Sequence, residues 1–131
     1  RLSFLIVTIM LQRFFGTVAA KGTTVRHIVM FSFKDGTSKR EIAKIKSGLL
    51  DLPKRIPVIS DYELGCDSNL EGGQTHPAGK NRILSWTACF DSVKDYEKYD
   101  QHEAHKEFLG LLKPHVLPGS RSAIQYKVKD N

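Results

Sequence analysis

Five histidines stand in a chain of 131 residues, and three of them are placed where an imidazole could work on a substrate. His27 lies among Val25, Val29 and Phe31 in a segment of alternating hydrophobicity. His102 and His105 follow Tyr99 at successive spacings of three in the run Tyr99-Asp100-Gln101-His102-Glu103-Ala104-His105. On a helix, residues three apart share one side. Phe108 and Leu112 continue that side, so it is expected to face the core with Tyr99, His102 and His105 among apolar groups. Imidazole exchanges protons near neutral pH, and a phenol can donate a hydrogen bond to a developing oxyanion. Acid/base chemistry centred on His105, with His27 and Tyr99 beside it, is therefore one reading. The other is architectural, in which the same groups satisfy loop ends and each other. A metal is not expected, because HEAH is one residue short of the HExxH spacing and lacks an evident third ligand.

These residues must be carried by regular elements. Val25 to Lys34 alternates with period two, which predicts a strand with His27 on its more apolar face. Asp35-Gly36 ends it. Ser38 and Glu41 form a capping-box pattern, and Ile42, Ile45, Leu49 and Leu52 follow at helical spacing until Pro53, which is expected to close the helix. Val58 to Cys66 reads as a second strand and Arg82 to Phe90 as a third, separated by a long polar loop from Asp67 to Lys80. Ser92 and Asp95 start a second helical stretch that runs through Leu112 to Pro114. Ser120 to Lys129 is the last strand, with Ile124, Tyr126 and Val128 on one face.

The order β-α-β-β-α-β is the ferredoxin-like α+β plan, a four-stranded antiparallel sheet with both helices on one face. The opposite face would present Ile28 and Met30 to water. An apolar face of that kind marks an interaction site, and a second copy packed face to face in a twofold dimer covers it. A homodimer forming an α+β barrel is expected on this ground.

The composition agrees with one globular domain: 40% hydrophobic and 26% charged residues. The net charge of +6 includes three basic residues, Arg1, Arg13 and Lys21, in a first stretch of 24 residues without an acid. The other bases are dispersed among acids, which argues against a nucleic-acid partner. Leu2 to Leu11 is apolar but shorter than the roughly 20 residues of a membrane span. With Val18-Ala19-Ala20 after it, the segment 1–20 is expected to be a signal peptide or an N-terminal extension; the protein would be exported in the first case and cytoplasmic otherwise. Residues 25–129 form the expected domain. Cys66 and Cys89 fall at opposite ends of the second and third strands, too far apart for a disulfide, and are expected to be free thiols.

The run Val25-Arg26-His27-Ile28-Val29-Met30-Phe31-Ser32-Phe33-Lys34 resembles the opening strand of the stress-responsive α/β-barrel (Dabb) family, which carries His at the position of His27 and Lys at that of Lys34. Ile56-Pro57, Phe90-Asp91-Ser92 and the Tyr99, His102, His105 series extend the resemblance over about residues 25–128. Glu103 stands where the family pattern has proline, and the loop after Cys66 is longer than usual. The resemblance implies a dimer of ferredoxin-like subunits with packed sheets. It also implies kinship with plant polyketide cyclases that carry out an intramolecular aldol condensation without a cofactor. By that analogy His105 removes a proton α to a carbonyl, Tyr99 steadies the substrate and His27 assists. The leading expectation is a dimer binding a small apolar or aromatic molecule between sheet and helices, lined by Val29, Phe31, Trp86, His102 and Phe108. Cofactor-free cyclase or lyase chemistry at His105, Tyr99 and His27 is the alternative. A monooxygenase-like barrel and a purely structural stress protein are the further ones. Trp86, on the inward face of its strand, is bulky enough to fill the space a substrate would need.

Overall fold

The computed structural model describes residues 24–78 and 81–129; the expected N-terminal signal segment, 1–20, lies outside them. The elements are β1 (Val25–Phe31), α1 (Lys39–Arg55), β2 (Asp61–Cys66), β3 (Leu84–Phe90), α2 (Val93–Gln101), α3 (Glu103–Leu112) and β4 (Ser122–Lys127), with a 3-10 turn at Lys113–His115. The four strands form one antiparallel sheet in the order β2-β3-β1-β4. This is the expected ferredoxin-like plan, with β1 and β3 central. None of the described helices is long and apolar enough to cross a membrane.

Period-two alternation divides the sheet into two unlike faces. The face beneath the helices carries Val25, His27 and Phe31 from β1 and Leu84, Trp86, Ala88 and Phe90 from β3, all buried. Ile45, Leu49 and Leu52 of α1 and Ala104, Phe108 and Leu112 of α3 complete the core from above. Nothing among the described residues covers the outer face. Ile28 and Ile124 lie opposite one another across β1 and β4, as do Arg26 and Tyr126. Met30, Ile124 and Tyr126 remain 41%, 56% and 39% exposed there.

Several element ends differ from expectation. Pro53 sits inside the last turn of α1, which runs on to Arg55 and closes with the Ile56 N–H on the Leu52 carbonyl. The fixed φ of proline suits a helix, and near the end the ring costs little. Ser38 caps α1 by accepting the Glu41 N–H at 3.1 Å, but the Glu41 carboxylate turns to Lys44 and His115 instead of back to the cap. β2 and β3 begin at Asp61 and Leu84, three and two residues later than the hydrophobic pattern alone suggests. Residues such as Ile59 belong to the core before they belong to the ladder. The largest difference is a break in the second helical stretch at His102, where the backbone becomes extended (φ −67°, ψ 140°). The cysteines are free, as expected: Cys66 lies opposite Leu84 and Cys89 opposite Asp61.

Beyond the end of β1, a buried serine ties the sheet together. Ser120 Oγ accepts the Ser32 N–H at 3.0 Å and donates to the Leu117 carbonyl at 2.7 Å. Replacing Ser120 with Ala leaves the Ser32 N–H buried without a partner. Ser120→Ala is expected to lower stability by about 1–3 kcal/mol. Urea unfolding checks this through a reduced midpoint at unchanged slope.

Candidate functional site

His27 occupies an inward slot at the middle of β1, directly opposite Ala88 on one side and Gln125 on the other. Its burial demands that the ring be uncharged and hydrogen-bonded. The Gln125 side-chain N–H donates to His27 Nδ1 at 2.7 Å, which puts the ring proton on Nε2. Burial lowers the His27 pKa to about 4, and the nearby His105 and Arg121 push in the same direction, while Asp100 opposes them.

His105 comes from the first turn of α3 and is also buried. Its Nδ1 lies 2.9 Å from the Asp100 carbonyl. A carbonyl can only accept, so Nδ1 carries the proton and donates it, and in the neutral ring Nε2 keeps its lone pair. The two imidazoles therefore hold opposite tautomers: His27 offers an N–H at Nε2, and His105 offers a base there.

Tyr99 links them. Its ring centroid lies 4.4 Å from that of His105 and 5.9 Å from that of His27, and Tyr96 lies 5.7 Å from His27. Burial pushes the Tyr99 phenol up to about 12, so it stays a donor at neutral pH. The Trp86 indole N–H lies near the phenol and opposes that shift, but it completes no hydrogen bond there and is itself buried without a partner. Burial likewise raises the half-buried Tyr96 phenol.

The sequence-derived site residues separate in space. His27, Tyr99 and His105 converge. Val29 packs at the margin of the core. Trp86, Phe31 and Phe108 are core residues: Trp86 is fully buried and stacks near Tyr62 at 5.7 Å, Phe31 meets Phe33 edge to face, and Phe108 packs against Gly48. His102 is apart from the cluster. It sits at the helix break, where Nδ1 accepts the Ala104 N–H at 3.0 Å, and it borders an open cleft of about 560 Å³ with Ile56, Lys94 and Lys98. His27, Tyr99 and His105 line none of five open clefts of 400 to 560 Å³ on the described surface. Sequence reasoning missed Gln125, Tyr96 and the Asp100 carbonyl. The signal for Gln125 was present in the alternation of β4, whose other face, with Ile124 and Tyr126, was the apolar one.

A family model described as the stress responsive A/B barrel domain matches residues 25–128. A stress-response A/B barrel domain-containing protein from Arabidopsis thaliana is 33% identical over 96 residues, 71% of this chain and 80% of that protein. Among solved structures, a dimeric ferredoxin-like protein of unknown function from Thermobifida fusca is similar, with a TM-score of 0.69 and 24% identity over 86% of this chain and 97% of that one. A hydroxynitrile lyase from Passiflora edulis has the same fold, with a TM-score of 0.67 and 20% identity over 83% of this chain and 96% of that one.

The neutral His27 has a consequence for stability. Its pKa is depressed from an ordinary 6.5 to about 4 on folding. The unfolded chain therefore binds the extra proton between those values, and the contribution is full above about 6.5 and lost as pH falls toward 4. Between about pH 7 and 4.5 the native protein should lose on the order of 2 kcal/mol more stability than a His27→Gln variant. Urea unfolding at the two pH values checks this, and equal losses would show that the ring is not held neutral.

Proposed function

The chain belongs to the stress responsive A/B barrel domain family, and on that premise we propose that it is a homodimer whose subunits each take up a small apolar or aromatic carbonyl compound at His27, Tyr99 and His105 and move a proton on it without a cofactor. The observation that carries this reading is the pair of opposed tautomers. A carbonyl oxygen set among these groups accepts a hydrogen bond from His27 Nε2–H or the Tyr99 hydroxyl, both of which are uncharged donors at neutral pH. The adjacent C–H then gives its proton to His105 Nε2, which becomes imidazolium while the electron pair forms an enolate at the bound oxygen. The Asp100 carbonyl keeps its hydrogen bond from Nδ1–H throughout and steadies the charged ring. The enolate can be reprotonated or can attack a second carbonyl.

The homodimer is supported by the uncovered stripe of Ile28, Met30, Ile124 and Tyr126 and by the dimeric description of the Thermobifida fusca protein. A purely architectural dimer is the second reading. It is favoured by the burial of Trp86 and Tyr99, which fill the space between sheet and helices.

Deuterium exchange into the methyl group of acetophenone, followed by NMR in D2O, separates the two. The acid/base reading expects protein-catalysed exchange that falls at least ~100-fold in His105→Ala, a variant that keeps the native fold by circular dichroism at a somewhat lower melting temperature because its contact with the Asp100 carbonyl is lost. Absence of catalysed exchange by the native protein, together with a large loss of stability in the variant, would establish the architectural reading. For the assembly, light scattering should give about twice the subunit mass, and Ile124→Glu on the outer face should halve it.

A further inference from the structure

We propose that the cleft beside the helix break binds a carboxylate with a short apolar body, and that Lys98 and His102 hold its oxygens. The site is separate from the His27, Tyr99 and His105 cluster and does not depend on the proton transfer proposed there.

The cleft, about 560 Å³, runs between α2 and the chain that leaves α1. Its volume lies in the range of small-molecule sites. Ile56, Pro57 and Val58 form one wall, and none of these side chains has a polar atom. That wall is fixed in place. Ile56 is fully buried, its N–H closes α1 on the Leu52 carbonyl, and its own carbonyl accepts the Ile59 N–H at 3.2 Å. The opposite wall comes from α2, through Lys94, Glu97, Lys98 and Gln101. Their spacings of three and four put them on one side of that helix. His102 lines the end of the cleft, where the helix stops.

The polar wall suits an anion. Two lysines against one glutamate leave the lining with one net positive charge. Lys94 makes no ion pair among the described residues. Lys98 has Asp95 at 3.8 Å, too long for a hydrogen bond, so its donors are free for another acceptor. His102 Nδ1 accepts the Ala104 N–H, which requires a lone pair there and places the proton of the neutral ring on Nε2. Lys98 and His102 are four residues apart, so both donors can reach one carboxylate. Glu97 neighbours Lys94 and Gln101 by the same rule, and its repulsion falls at the other end of the cleft. The apolar body of the molecule then lies along Ile56, Pro57 and Val58.

Occupancy also acts on the helix break. A carboxylate that accepts from His102 Nε2–H holds the proton on that nitrogen. Nδ1 thereby stays available to cap α3, and binding stabilises the fold.

The test titrates the 15N-labelled protein with sodium octanoate, and with acetate and 1-octanol as probes that lack the tail or the charge. Octanoate should shift the amides of Val58, Lys98, His102 and Ala104, raise the melting temperature, and bind at least ~10-fold more tightly than either other probe. Lys98→Gln should weaken octanoate at least ~10-fold, whereas Lys127→Gln, which removes the same charge on β4, should leave the affinity unchanged. His102→Asp keeps a strong cap for α3 but sets a carboxylate in the cleft, so the variant should fold and lose octanoate binding. Shifts centred on Ile124 and Tyr126 would place octanoate on the outer stripe and overturn the proposal, as would the absence of saturable binding. Equal affinity for 1-octanol, or native affinity in Lys98→Gln, overturns the carboxylate assignment. Equal affinity for acetate overturns the apolar body.

Discussion

A histidine in the dry half of a central strand restricts everything around it. His27 cannot turn away from the core, because strand alternation fixes its side to that of Val25 and Phe31. It cannot stay charged there either, because removal from water penalises imidazolium more than imidazole. The remaining solution is a neutral ring with one nitrogen satisfied, and Gln125 on the neighbouring strand supplies the partner. The edge strand β4 thereby acquires a task beyond completing the sheet. It sets the tautomer of a ring on β1 and leaves the other nitrogen of that ring as a donor.

The second histidine depends on a break in a helix. Were Val93 to Leu112 one continuous helix, the Asp100 carbonyl would accept the backbone N–H four residues on. The chain instead ends α2 at Gln101 and begins α3 at Glu103. Carbonyls in the last turn of α2 then lack helical partners. Asp100 gives its own to His105 Nδ1, and Tyr99 gives its own to the His102 N–H at 3.2 Å. The break persists although Glu103 stands where the family pattern has proline, since the His102 side chain itself caps α3. His102 thus orients His105 indirectly, by making the helix end that holds it.

The two sheet faces divide the labour. The inner face is filled by Trp86, Phe90 and the helices, and it confines the polar cluster to the side nearest β4. The outer face has nothing over it among the described residues, and its apolar stripe crosses β1 and β4. The strand that completes the histidine site on one face therefore contributes Ile124 and Tyr126 to the exposed stripe on the other.

Period-two and period-3.6 patterns are properties of the chain, so the sequence determined the element order, the ferredoxin-like plan, the inward placement of His27 and the outward placement of Ile28 and Met30. The neighbourhood of Tyr99 and His105 was expected from spacing on one continuous helix, but the structure produces it across a break, through the Asp100 carbonyl that holds His105. The separation of His102 from them was not expected. A spacing of three predicts one side only while the helix lasts, and the break is set by a capping bond that competes locally with the helix. The partnership of His27 with Gln125 spans 98 residues, so no local pattern could contain it. Whether Trp86 lines a cavity or fills the core was likewise decided by packing, because a bulky inward residue suits either. Only the assembled sheet and helices fixed which nitrogen of each histidine carries its proton, since a tautomer is set by the partner across the fold.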